Sequence, residues 1–334
     1  MPPRSPSPAN VILLYGVDPN WEQFEQDRVV RESRRLGVAI RRRGHQVELL
    51  EIQGNHLADT LARFDPDEVV VFNCLEEIPG EKGSEAEVVD VLERLGFAYT
   101  GATAEAIRLS YDRPRIRALL EENGVAVPLW VQFDEPGQHP WNVFPAIVRP
   151  AWEHCSIGVD RWAVVLDAGE LAQRVAHVIA AFKQPALVED FIDGREFHVP
   201  LWGNGSVEML PPVEMDFSAI GDVRDRLCTY EAKFDLDSAA CRRITSRIPA
   251  RLNAAERDAL EASCRLAYRL GGCRDYGRID VRQRDDSMYV LDVNPNADLS
   301  ADASVALAAN KAGFCYGAMG SRLVEWAQNR APHQ

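Results

Sequence analysis

YGRIDVRQRDDSMYVLDVNPN, residues 276–296, alternates polar and apolar side chains over two runs separated by an acidic turn. That is the period-two signature of paired strands. Successive strand side chains point to opposite faces, so Arg278, Asp280, Asp292 and Asn294 share one face and Ile279, Val281, Leu291 and Val293 the other. With Asp285, Asp286 and Ser287 as the loop, Asp280 stands opposite Asp292 and Arg278 opposite Asn294, with Cβ atoms about 5 Å apart. Two carboxylates at that spacing repel. A divalent cation between them removes the cost, and an oxygen set from Asp, Asp and Asn suits Mg2+, which binds few carboxylates together with nucleotide phosphates. Arg278 on the same face would meet a transferring phosphoryl group or a developing oxyanion. On spacing alone, an ordinary half-exposed hairpin with alternating charges fits equally well.

Outward from the hairpin, the chain changes its grammar twice. VILLYG at 11–16 is an apolar run ending at glycine, followed by a helical stretch from about 22 to 43, QVELLEI at 46–52 and EVVVFN at 68–73. Strands alternating with helices predict a small parallel α/β domain, closed by the helix EAEVVDVLERLG and the segment FAYTGAT at 97–103. RPRIRALLEENG then reads as an amphipathic helix ending at Gly124, and short strands at 127–133 and 144–149, a helix at 168–183 and a strand at 186–191 predict a compact α+β domain. The last section holds EFHVPLWG, VEML, a polar stretch at 216–250, a helix at 254–270, the hairpin, and an amphipathic helix at about 317–329 that reads as packing. No internal repeat is visible.

Composition narrows the function. At 334 residues, two or three cores are expected. A net charge of −14 argues against nucleic acid as the partner, because its binders concentrate positive charge. The run Arg41, Arg42, Arg43 precedes Gly44 and reads as a helix C-terminus whose dipole favours cations. No stretch approaches the roughly 18 apolar residues of a membrane span, and MPPRSPSPAN lacks the apolar core of a signal peptide, so the expected location is the cytoplasm, with no membrane partner. Seven cysteines without CxxC spacing suit reduced, packed thiols.

The motif DYGRIDV followed by YVLDVNPN resembles the C-terminal signature of D-alanine:D-alanine ligases in the ATP-grasp superfamily. YTGAT, YDRPRIRALLEENGVAVP, FPAIVRPAWEHCSIGVD, LVEDFIDGREFHV and TYEAK match in the same order, so the likeness covers about residues 68–315. Each motif alone is weak; the ordered series is specific. The resemblance implies an α/β and α+β, three-domain ATP-grasp fold, with an N-terminal domain over 1–103, a central ATP-grasp subdomain over 104–192 and a C-terminal subdomain over 193–334. It implies an ATP-dependent carboxylate–amine ligase working through an acyl phosphate and releasing ADP and phosphate. ATP and Mg2+ (or Mn2+) would be its cofactors, with a small carboxylate and an amine, amino acids among them, as substrates. A homodimer is among the expectations it carries.

By the family pattern, Asp280, Asp292 and Asn294 would hold the metal, and Arg278, Lys233 and Ser156 would be catalytic. Glu189, Asp190, Phe191 and Ile192 would line the adenine edge, Glu196 would take the ribose hydroxyls, and Arg113, Arg149 and Lys233 would meet the phosphates. An extended apolar segment offers free N–H and C=O groups to a purine, and a carboxylate accepts two hydroxyls. The loop EHCSIG, 153–158, would close over the triphosphate, with Ser156 and backbone N–H groups as donors. Tyr230 would help hold the loop of Lys233. Cys155 reads as a packing residue.

The chain also departs from the pattern. Arg113 and Arg149 replace lysines, which keeps the charge but exchanges a point donor for a planar fork. Asp298 stands in Asn296, Ala297, Asp298, Leu299, Ser300 where the family carries proline and glycine, and a carboxylate there would repel an amino-acid acceptor's carboxylate while attracting an amine. FNCLEEIPGEKG, 72–83, replaces the family's histidine and glycine loop, and Glu25 and Asp27 are candidates for its early glutamate. Two further readings therefore stand beside the ligase: a non-catalytic ATP-binding or partner-binding protein on the same fold, and a standard D-alanine:D-alanine ligase.

Overall fold

The structure, a computed structural model, describes residues 8–138, 140–154, 156–228 and 244–330. Lys233, Tyr230 and Cys155 lie outside the described residues.

Strands β1 (Asn10–Gly16), β2 (Gln46–Ile52), β3 (Val69–Asn73) and β4 (Ala98–Tyr99) form a parallel sheet in the order β2-β1-β3-β4. β1 lies inside the sheet and is apolar and buried from Val11 on because both its faces are covered. Val11, Leu13 and Tyr15 meet helix α1 (Gln23–Arg41), whereas Ile12 and Leu14 meet α2 (Leu57–Leu61), α3 (Glu85–Arg94) and α4 (Ala104–Tyr111). Each fully buried Leu or Ile contributes about 1.5–3 kcal/mol. Helix α4 was not expected: it begins at Thr103, whose hydroxyl accepts from Ala106 N, and it runs into the next helix, α5 (Arg113–Glu122), at Asp112, whose carboxylate caps α5.

A second, antiparallel sheet contains β5 (Trp130–Phe133), β6 (Ala146–Pro150), β7 (Val164–Val165) and β8 (Ala186–Asp190) in the order β5-β8-β6-β7. Helix α6 (Ala168–Phe182) covers it with Leu171, Val175 and Val178. The third sheet carries β9 (Arg195–Trp202), β10 (Glu208–Met209), β11 (Val213–Asp216), β12 (Thr245–Arg247), β13 (Tyr276–Arg284) and β14 (Ser287–Asn294). Its path is β12-β11-β9-β13-β14, with β10 on β9. Helix α7 (Ala254–Leu270) starts from a capping box of Asn253 and Glu256 and lays Leu260, Cys264 and Ala267 on Ile279, Val281, Val290 and Val293.

Helix α8 (Ser304–Lys311) packs on β9 of the third sheet and against the C-terminal helix α9 (Tyr316–Gln328), which in turn packs on the first sheet, with Met319, Leu323 and Val324 joining Leu36 and Ile40 of α1. The approach is close. A Cβ on Gly317 would fall 2.4 Å from the carbonyl oxygen of Ala39, and one on Gly320 would fall 2.7 Å from Ile40 Cγ1. His45 Nε2 and Ser321 Oγ meet at 2.7 Å beside this contact. Among the described residues, no helix is long and apolar enough to cross a membrane.

Candidate active site

The hairpin holds the expected face by an unexpected route. Arg278 pairs with Asn294 and Asp280 with Asp292, but Arg284 pairs with Ser287, so the loop is two residues and not three. The difference is absorbed by a bulge between Asp280 and Val281 that leaves Leu291 over. Asp285 adopts a left-handed φ of 53°, which aspartate tolerates better than most residues. Leu291 consequently drops out of the apolar face assigned to it, and Val290 takes the buried place.

Asp280 and Asp292 are opposite each other, yet each is matched by its own arginine, which relieves the repulsion expected from the sequence. Arg278 binds Asp280 through two bonds of 2.6 and 2.9 Å, and Asn294 Nδ2 donates to Asp280 Oδ2 at 3.1 Å. Asp292 accepts from Arg113 Nη1 and, at 3.0 Å, from Arg149 Nη1. Arg149 and Arg117 together saturate Glu189: Arg149 Nη2 reaches Oε2 at 2.6 Å and Arg117 Nε reaches Oε1 at 2.7 Å. Arg117 Nη2 also donates to the carbonyl of Leu291, the bulged residue.

Glu189 and Arg117 are each 1% exposed, Arg113 5% and Arg149 8%, whereas the Asp292 side chain is 26% exposed, so the network is buried around Glu189, where its charges act with little screening, and opens to solvent at Asp292. Against the cost of burial, Arg117 and Arg149 hold the Glu189 carboxyl below its ordinary range, and Arg113 and Arg149 hold that of Asp292 far below. Burial and the neighbouring Arg149 bring Arg113 down to about 10, still charged at neutral pH. Three guanidiniums face two carboxylates, leaving one positive charge over. His154 does not add to it: burial and Arg113 push it down to about 4, and its ring meets that of Tyr111 at 4.2 Å between centroids, tilted by 46°. A buried cluster with surplus positive charge suits an anion.

The segment at 189–192 departs from expectation. Instead of a free edge, Asp190 N donates to Leu129 O and Phe191 N to Pro145 O, while the carbonyls of Phe191 and Ile192 accept from Arg284 and Arg282. The cause lies on β13, whose Arg282 and Arg284 reach across to this segment. Arg284 also binds Asp190 at 2.7 Å. Arg282 binds Glu196 at 2.7 Å, and His198 Nε2 lies 3.2 Å from the other carboxylate oxygen. Against burial, these two hold Glu196 far below the carboxylate range. Arg195, the sequence neighbour, points to the sheet's other side and pairs with Glu214 and Glu256.

Ser156 has a left-handed φ of 62° and its hydroxyl donates to Cys228 O at 2.9 Å. The loop is tight at Gly158, where a Cβ would fall 2.7 Å from Pro150 Cγ. Arg117, His154, Arg282 and Arg284 escaped the sequence reading. Only Arg117 left a signal there: it lies four residues after Arg113 on one helix, a spacing that puts both on one face.

A family model described as D-ala D-ala ligase C-terminus matches residues 119–325. An uncharacterized protein, y4sG, of Sinorhizobium fredii is 32% identical over 88% of this chain and 86% of its own length. A D-alanine–D-alanine ligase of Alcanivorax borkumensis is 29% identical over 83% of this chain and 81% of its own. Among solved structures, a D-alanine–D-alanine ligase from Bacillus anthracis complexed with ATP superposes with a TM-score of 0.74 at 16% identity, covering 96% of this chain and 97% of that one. The fold is therefore ATP-grasp, and the chain belongs to the D-ala D-ala ligase C-terminus family, which makes it by class an ATP-dependent carbon–nitrogen ligase.

Proposed function

We propose that this chain uses ATP and Mg2+ to phosphorylate a small carboxylate and then joins the acyl phosphate to an amine. The observation that carries the reading is the buried group of Arg113, Arg117 and Arg149, one positive charge in excess, set against the face of Arg278, Asp280, Asp292 and Asn294. We read the three units as 1–103, 104–192 and 193–334.

In the first step a carboxylate oxygen of the substrate attacks the γ-phosphorus of ATP, and ADP leaves. In the second, the amine nitrogen attacks the acyl carbon and loses a proton, and phosphate departs with the electrons of the broken C–O bond. Arg113 and Arg149 would exchange carboxylate partners for phosphate oxygens, for which a guanidinium fork is suited. Arg278 would face the oxyanion that develops as the amine adds. The all-oxygen set of Asp280, Asp292 and Asn294 fits Mg2+, with Asn294 donating through Nδ2 and so keeping Oδ1 for a ligand. Bound there, the ion would neutralise charge on the transferring phosphoryl group. Lys233 and Ser156 belong to the same proposal as donors to the phosphates, and the segment from Glu189 to Ile192, with Glu196, as the nucleoside wall.

The test is phosphate release from MgATP against pooled amino acids and small carboxylates, with products read by mass and Asp292→Ala as control. Release that the variant abolishes supports the ligase. A second reading, an ATP-binding protein without turnover, is favoured by one observation: Asp292 is held by both Arg113 and Arg149. Mg2+-dependent ATP binding with no release from any pair would select it.

A further inference from the structure

A pocket of about 100 Å3 lies between α1, the segment after β3 and residues 296–300. Its wall carries Glu32, Glu76 and Asp298 and no basic side chain. Arg28 touches Asp298 only at 3.8 Å, and Arg31 and Arg35 reach Glu32 at 3.4 and 3.6 Å without lining the pocket. Glu76 makes no hydrogen bond or ion pair to a described residue, and what surrounds it is further acid. Its acidic neighbours Asp298, Glu85 and Glu77 raise its carboxyl above the ordinary range, with Arg28 opposing, and solvent reaches the residue.

A second observation is independent of the acids. Ser33, in the middle of α1, is 6% exposed and lines the pocket, yet its hydroxyl has no partner among the described residues. Serine inside a helix commonly turns back to the carbonyl four residues earlier; here it is left as an acceptor beside Glu32.

The pocket's place relative to the reaction is set by β13. Tyr276 lines it and stands two residues before Arg278 on the same strand face, a displacement of about 7 Å. Tyr276 is itself fixed by a 2.7 Å bond from its hydroxyl to Asn296 Oδ1.

We infer that this pocket takes the cationic far end of the amine substrate, so that the acceptor is a linear diamine and not an α-amino acid. An ammonium would meet Glu76, Asp298 and Glu32 and donate to Ser33, supplying the one charge this wall lacks. A carboxylate in the same place would face like charges, a repulsion that costs several kcal/mol at a complementary surface. The role as acceptor rests on the ligase reading above; the binding preference does not.

The test is calorimetric titration of the full chain with 1,5-diaminopentane and, separately, with 5-aminopentanoate, which replaces the second cation by an anion. The diamine is expected to bind at least tenfold tighter, and Glu76→Gln and Asp298→Asn each to weaken it about tenfold. Equal binding of the two compounds overturns the inference, as does undiminished diamine binding in both variants. The wild-type comparison holds even if a variant fails to fold. Phosphate release measured in parallel separates the two claims: diamine binding without turnover sinks the ligase and spares the pocket, whereas turnover with amino acids and no diamine preference does the reverse.

Discussion

The arginine cluster around Glu189 and the acidic pocket around Glu76 border the same hairpin, and they treat carboxylates in opposite ways. In the cluster, each carboxylate has at least two guanidinium partners and is held below its ordinary range. In the pocket, Glu76 has only acids and one distant arginine for company and is pushed up to about 8. The first region carries a positive charge to spare, and the second gathers three acids in a wall with no basic side chain. Each imbalance marks where a ligand of the opposite sign would complete the site.

The largest expected effect comes from breaking the satisfied region. Glu189→Gln removes the carboxylate that Arg117 and Arg149 share and leaves three buried guanidiniums around Asp292 alone, which should cost about 3–5 kcal/mol, read by denaturant unfolding. A loss below about 1 kcal/mol would mean that the cluster behaves like a surface pair. Next, Arg278→Ala should lower the rate of phosphate release by about 100- to 1,000-fold, in addition to the stability lost with the Asp280 pair; a tenfold drop or less would demote Arg278 to holding Asp280.

Acid sharpens the contrast. Glu189 and Asp292 have folded values below their unfolded ones, so their stabilisation is complete above roughly pH 5 and is lost as pH falls through the folded values. Unfolding free energy should decline below about pH 4, and less steeply in Glu189→Gln. Glu76 runs the other way. Its folded value is raised, so the native state keeps a proton between about pH 4.5 and about 8 that the unfolded chain has released, and stability declines as pH rises across that window. The effect is small because solvent reaches the carboxyl, and it is the last in the series. Melting curves at pH 5 and 8 should converge in Glu76→Gln; an unchanged difference would show that Glu76 is not its source.

The hairpin shows how far sequence reading extends. Period two placed Arg278, Asp280, Asp292 and Asn294 on one face, and the pairing at both positions is as spacing required. The loop length was misread because a bulge at Leu291 and a two-residue turn together give the same register as a three-residue turn. Arg282 and Arg284 looked like alternating surface charges, and nothing local announces that they occupy the carbonyls of Ile192 and Phe191. The acidic pocket was half visible: Asp298 stood out as a departure, but Glu32 and Glu76 come from a helix and a loop more than two hundred residues earlier.

What the sequence determined by itself is the family, the alternation of strands and helices, and the chemical inventory of the central hairpin, because these depend on short-range periodicity and ordered motifs. Only the tertiary structure decided which carboxylate each arginine serves, why Arg113 and Arg149 can share Asp292, and that three acids and an unpaired serine meet at one cavity. Charge pairing in a buried site depends on distances between elements that the chain brings together late, across separations where no local pattern carries information.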